Sequence, residues 1–106
     1  MAIYKGTKEG EVTKDGLAFS PEPSQEIIIH SPDGFSWGYP GSGPAQLALA
    51  LLLDVTGDEN FSRTYHQVFK WDYVAGWGED WEITGEEIKE WVGSTKEKWV
   101  GVEGGI

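Results

Sequence analysis

The chain has 106 residues and carries 18 Asp and Glu against 8 Lys and Arg, a formal net charge of −10. This length matches one domain, and the acidic balance repels phosphate backbones, so direct binding of nucleic acid is disfavoured. The absence of cysteine excludes disulfides, thiolate nucleophiles and cysteine-ligated metals. Because the N-terminus has no signal-peptide pattern and no apolar run is long enough to cross a bilayer, we expect a cytoplasmic protein without membrane contact.

The N-terminal part predicts an antiparallel sheet made of two β-hairpins. Asp15-Gly16 separates two short alternating runs, and a two-residue Asp-Gly turn is a strong hairpin signal. A second turn is predicted at residues 31–34, Ser-Pro-Asp-Gly, between strands at 26–30 and 35–39. Ile3 and Tyr4 indicate a further strand, and residues 20–24 a loop.

Two helices are predicted next. Residues 45–53 are apolar at every position except Gln46, which indicates a helix buried on most of its circumference at the centre of the core. A second helix is expected over residues 61–75, with Asp58 or Asn60 as its cap. Its predicted inner stripe consists of Phe61, Tyr65, Val68 and Phe69.

The C-terminal part predicts a short strand or extended link at residues 81–83 and a third helix. Thr84 and Glu87 have the spacing of a capping box at the start of this helix. We therefore predict an α+β domain over residues 1–93, with an N-terminal antiparallel sheet packed on a buried helix and two further helices. Residues 94–106 are expected to form a C-terminal tail, either disordered or contributing an edge strand at 98–100.

The stretch at residues 34–49, GFSWGYPGSGPAQLAL, resembles a family of domains of unknown function with the pattern GFxWGYxGSGPAxLAL. Residues 65–91 are similar to the second half of the same family. The resemblance implies a fold without an assigned activity, and occurrence in bacterial, archaeal and mobile-element genomes.

The glycine-rich entry to the buried helix is a candidate ligand site. Backbone N–H groups of Gly41, Ser42 and Gly43 could hold a phosphate or carboxylate at the helix N-terminus. Pro44 removes one N–H group, and no P-loop lysine follows. The alternative interpretation is a tight connection whose glycines permit close packing.

His30 and His66 are the two histidines, and neither lies in a known catalytic pattern. An enzyme using His66 with nearby carboxylates is therefore the least favoured class of function, and we predict no catalytic residues and no cofactor. A metal site would require the fold to bring the two histidines together, and none is predicted.

An acidic, tryptophan-containing surface is the favoured interaction site. Its predicted members are Trp71, Trp77, Glu79, Asp80, Glu82, Glu86 and Glu90. We expect the carboxylates to form a negative face and the two tryptophans to be exposed beside it. The predicted function is a non-enzymatic accessory or regulatory module that binds a basic protein, with a nucleic-acid mimic from a mobile element as a special case. The alternative interpretation of the acidic residues is a solubilising surface.

Overall fold

The computed structural model describes the backbone of residues 2–104 and the side chains of residues 2–97. One four-stranded antiparallel sheet has the order β3-β2-β1-β4, which confirms the predicted α+β class. The strands are β1 at Ile3–Gly6, β2 at Val12–Lys14, β3 at Leu17–Ala18 and β4 at Trp81–Thr84. Strand β4 enters the sheet from the C-terminal half of the chain, where Trp81 pairs with Gly6.

The first predicted hairpin is confirmed. Asp15 and Gly16 connect β2 to β3 and have φ angles of 51° and 84°. A two-residue turn with positive φ at both positions matches the right-handed twist of the strands that it joins. Glycine adopts this conformation without strain, and aspartate tolerates it better than most residues.

The second predicted hairpin is wrong, although its turn forms. Gly34 N donates to Ser31 O across 3.4 Å, and Gly34 has a φ of 118°. The flanking residues form no strands, because His30 N and Ser31 N donate to the side chain of Gln46. The predicted loop at residues 20–24 is also wrong in part, because a short helix, α1, occupies Glu22–Gln25.

Helix α2 at Ser42–Thr56 forms the centre of the core, as predicted. Every residue from Gly43 to Leu52 is buried, since α1, α3 and α4 all pack against this helix. It ends at Gly57, whose φ of 64° provides the left-handed C-terminal cap.

Helix α3 at Glu59–Asp72 begins at Asp58, whose carboxylate accepts a hydrogen bond from Phe61 N. The prediction that Val68 belongs to its inner stripe is wrong, because this side chain is exposed. The buried positions include three polar side chains instead, namely Ser62, His66 and Lys70. A 3₁₀ turn at Val74–Gly76 follows the helix.

Helix α4 at Gly85–Gly104 begins with the predicted capping box. Glu87 N donates to Thr84 Oγ1, and Thr84 N donates to Glu87 Oε1, each across 3.1 Å. The predicted edge strand at 98–100 is wrong, because residues 94–104 continue this helix; residues 105 and 106 lie outside the described part. Among residues 2–104, none of the helices combines the length and the apolar character that a membrane span requires.

Candidate functional site

An open cleft of about 500 Å³ lies where three connecting segments meet. Phe35 and Trp37 contribute from the segment before α2, and Trp77 and Glu79 from the segment before β4. Lys8, in the β1–β2 connection, lines the remaining side. The cleft therefore combines aromatic walls with one acidic and one basic side chain.

Trp81 packs against both tryptophans that line the cleft, Trp37 and Trp77. Its ring stacks on Trp77 with a centroid separation of 4.2 Å and meets the Trp37 ring edge-on at 5.6 Å. The indole lies over Gly6, where an added Cβ would be 2.1 Å from Trp81 Nε1. Only glycine at position 6 leaves room for this ring arrangement.

The walls are also fixed by hydrogen bonds. Trp37 Nε1 donates to Glu79 O across 3.1 Å, and Gly38 N donates to Val74 O across 3.0 Å. Gly38 has a φ of 84°, and a Cβ there would approach Trp77 O to 3.0 Å. These contacts join the segment before α2 to the segment before β4, so the cleft is shaped before any ligand arrives.

The acidic residues predicted to form one unpaired face differ in their surroundings. Asp80 Oδ1 accepts from Lys8 N across 2.9 Å, and Glu82 Oε1 lies 3.6 Å from Lys5 Nζ on the outer face of the sheet. Glu86 and Glu90 are exposed on α4. Glu79 is exposed at the cleft, and within residues 2–97 its carboxylate has neither a hydrogen bond nor an ion pair.

The two tryptophans predicted to be exposed together have different environments. Trp71 is 63% exposed on α3, with Lys70 Nζ 5.0 Å from its ring centroid, and it does not line the cleft. Trp77 is half-buried by its stacking on Trp81. The structure thus brings Trp77 to Glu79 and leaves Trp71 on another element.

The glycine-rich entry to α2 has a packing explanation. A Cβ at Gly43 would be 2.5 Å from Ser36 Cβ, and one at Gly41 would be 2.3 Å from the Tyr39 ring. Gly43 is fully enclosed and Ser42 is exposed without capping the helix through its side chain. The predicted role of these residues in ligand binding stays a prediction. These contacts explain the glycines by packing alone.

The imidazole rings of the two histidines are in contact, although the residues are far apart in the chain. His30 Nε2 and His66 Nε2 are 2.8 Å apart, while His66 Nδ1 lies 2.8 Å from Arg63 O and 3.0 Å from Ser62 O. Because carbonyl oxygens only accept, Nδ1 of His66 carries the proton, and its Nε2 accepts from His30. Burial lowers the pKa of both imidazoles, and the nearby Lys70 ammonium lowers them further.

The surroundings of the histidine pair offer no third metal ligand among the described residues. Within the described residues, no group of three or more His, Asp or Glu side chains is placed to hold a metal ion. The imidazole nitrogens that the structure pairs are satisfied by each other and by backbone carbonyls. We interpret the pair as a partly buried link between α3 and the segment before α2.

Gln46 is the single polar residue in the apolar run at residues 45–53, and its side chain forms a buried hydrogen-bond network that the sequence did not indicate. Its Oε1 accepts from His30 N and Ser31 N, and its Nε2 donates to Ser24 Oγ and Ile28 O. Four hydrogen bonds satisfy this fully buried amide. One side chain thereby holds residues 24–31 against the core.

A second polar link, also missed from the sequence, joins the sheet to α2. Tyr4 Oη donates to Asp54 Oδ2, and Lys14 Nζ lies 2.8 Å from the same oxygen. Burial raises the pKa of Tyr4, and its hydrogen bond to Asp54 raises it further. The phenol therefore stays neutral and serves as a hydrogen-bond donor.

Comparison with known protein families shows the family to which the chain belongs. Residues 4–94 match the model of DUF6166, a family of unknown function, and the chain belongs to this family. No curated protein and no solved structure matched the chain.

Proposed function

We propose that this protein is a non-enzymatic binding module that recognises a basic segment of another protein at the cleft between Trp37 and Trp77. The observation that carries the proposal is the carboxylate of Glu79, which has no partner among residues 2–97 and lies at a preformed aromatic cleft. Aromatic side chains supply contact area at small entropic cost, and an exposed carboxylate selects a positively charged partner.

The charge around the cleft supports a basic partner. The lining residues Lys8, Gly10 and Glu79 lie in the segments 8–11 and 79–80, which contain the carboxylates of Glu9, Glu11, Glu79 and Asp80 and the single ammonium of Lys8. The whole chain has the same sign of charge. Such a field attracts cationic ligands over distances comparable with the Debye length and repels phosphates.

The test compares charge reversal at the cleft with the same reversal elsewhere. The probe is a fluorescein-labelled peptide of repeating Arg-Gly-Ser units, whose affinity is measured by fluorescence anisotropy. The variant Glu79→Lys is compared with Glu26→Lys, which changes the net charge equally at an exposed position that does not line the cleft. Wild type and the second variant should bind with affinities within about threefold of each other, and the first variant should bind at least about tenfold more weakly. Equal weakening by both variants would contradict a site at the cleft.

A further inference from the structure

We infer that the cleft takes an arginine side chain of the basic partner, with the guanidinium plane against the Trp77 indole and its N–H groups directed at Glu79. This inference rests on the proposed function and specifies the group that is recognised. Three features of the cleft support this inference: its open shape, the disposition of its rings, and the Glu79 carboxylate, which has no partner among residues 2–97.

The tryptophan walls offer a flat, electron-rich surface. One face of Trp77 is covered by Trp81, with an interplanar angle of 16°, so a ligand in the cleft meets the opposite face or the edge of the ring. Trp37 is fixed by the bond from its Nε1 to Glu79 O. A planar cation gains from stacking on an indole whose position is already fixed.

Glu79 lies where it can pair with such a cation. Its backbone carbonyl holds Trp37, while its carboxylate remains without a partner in the described part of the chain. The guanidinium is planar and presents several N–H donors in a fixed fork, so one group can stack on a ring and donate to a carboxylate at once. A lysine ammonium is compact and more strongly hydrated, and it gains less from this combination.

Lys8 sets the orientation of the ligand. Lys8 is the one basic residue of the cleft lining, and its backbone N–H donates to Asp80 Oδ1. Like charges repel, so an arginine side chain should enter on the Glu79 side. Removing the Lys8 charge should therefore strengthen binding, whereas removing the Glu79 charge should weaken it.

The first experiment compares the Arg-Gly-Ser peptide with a Lys-Gly-Ser peptide of the same length and charge. Wild-type protein should bind the arginine peptide at least about fivefold more tightly. Glu79→Gln should reduce this preference, and Lys8→Ala should increase affinity for the arginine peptide. Equal affinity of wild type for the two peptides would overturn the inference, while the loss of binding in the Glu79→Lys variant would still support the proposed function.

The second experiment needs no change in the protein. Two-dimensional ¹H–¹⁵N NMR of the labelled wild-type chain resolves the indole N–H signals of its tryptophans. Addition of the arginine peptide should shift the Trp37 and Trp77 indole signals and leave that of the exposed Trp71 unchanged. Shifts confined to Trp71, or to none of the three, would contradict arginine binding in the cleft. Trp77→Leu, checked for folding by circular dichroism, should abolish the preference for arginine over lysine.

Discussion

His30 Nε2 and His66 Nε2 lie 2.8 Å apart although 36 positions separate the two residues in the chain. One proton between the rings gives a hydrogen bond, but two protonated rings would direct N–H groups at each other. The Lys70 ammonium also disfavours protonation of both rings, whereas the carbonyls of Arg63 and Ser62 favour protonation of His66 by less than burial opposes it. The pair is therefore stable when neutral and sensitive to acid.

The first prediction is that the histidine pair makes stability decrease on acidification. Both histidines have a pKa below 6.5 in the folded state, so the unfolded chain binds more protons as the pH falls through 6.5. Their contribution to stability is present above this value and is lost below it. We expect the free energy of unfolding, measured by urea denaturation, to decrease between pH 7.5 and pH 5.

The matched control for this prediction is His30→Gln, which can still donate an N–H group to His66 but does not titrate. Because acid also relieves repulsion among the many carboxylates, the informative quantity is the difference between wild type and variant. The variant should lose less stability than wild type over the same pH range. Parallel curves would contradict the pair as the source of the acid sensitivity.

A second prediction concerns Gln46. Leucine is compatible with the buried helix α2, but the change Gln46→Leu removes the hydrogen-bond partners of His30 N, Ser31 N and Ile28 O. Because a buried polar group without a partner costs about 1–3 kcal/mol, we expect a loss of about 2–5 kcal/mol in the free energy of unfolding. Urea unfolding followed by tryptophan fluorescence measures it. A loss below about 0.5 kcal/mol would show that water replaces the amide without penalty.

A third prediction tests the start of α4. Thr84→Ala removes the hydroxyl that accepts from Glu87 N and should cost about 0.5–2 kcal/mol. Thr84→Ser retains the hydroxyl and should lose less. Hydrogen exchange at the Glu87 amide provides a local measurement, which should become faster in Thr84→Ala. Unchanged exchange would contradict the capping role.

The hairpin at Asp15-Gly16 and the capping box at Thr84 could be predicted because each depends on residues that are close in sequence. The turn at 31–34 was predicted for the same reason, and its Gly34 does adopt positive φ. Its strands do not form because a distant side chain, Gln46, takes the backbone donors that a hairpin would have paired. Sequence spacing contains no information about this competition.

The candidate site could be predicted only in part. Trp77 and Glu79 were both singled out from the sequence, and they do line one cleft. The contributions of Trp37 and Lys8 were missed, because both depend on contacts between distant parts of the chain. The pairing of Gly6 with Trp81 brings the Lys8 segment to the cleft, and the hydrogen bond from Trp37 Nε1 to Glu79 O brings the Trp37 segment there. The absence of a side chain at Gly6, which makes room for the Trp81 ring, is the sequence signal that could have indicated this packing.

The most direct test of the central claim, electrostatic recognition at the cleft, is the association rate of the Arg-Gly-Ser peptide as a function of ionic strength. Stopped-flow fluorescence measures it for wild type, for the cleft variant Glu79→Lys and for the control Glu26→Lys. We predict that the rate for wild type and for the control falls steeply between about 0.02 and about 0.5 M salt, because screening removes the attraction. The rate for the cleft variant should be lower and less dependent on salt. Identical rates and identical salt dependence in all three proteins would contradict the account and leave the carboxylates at the cleft as a solvated surface.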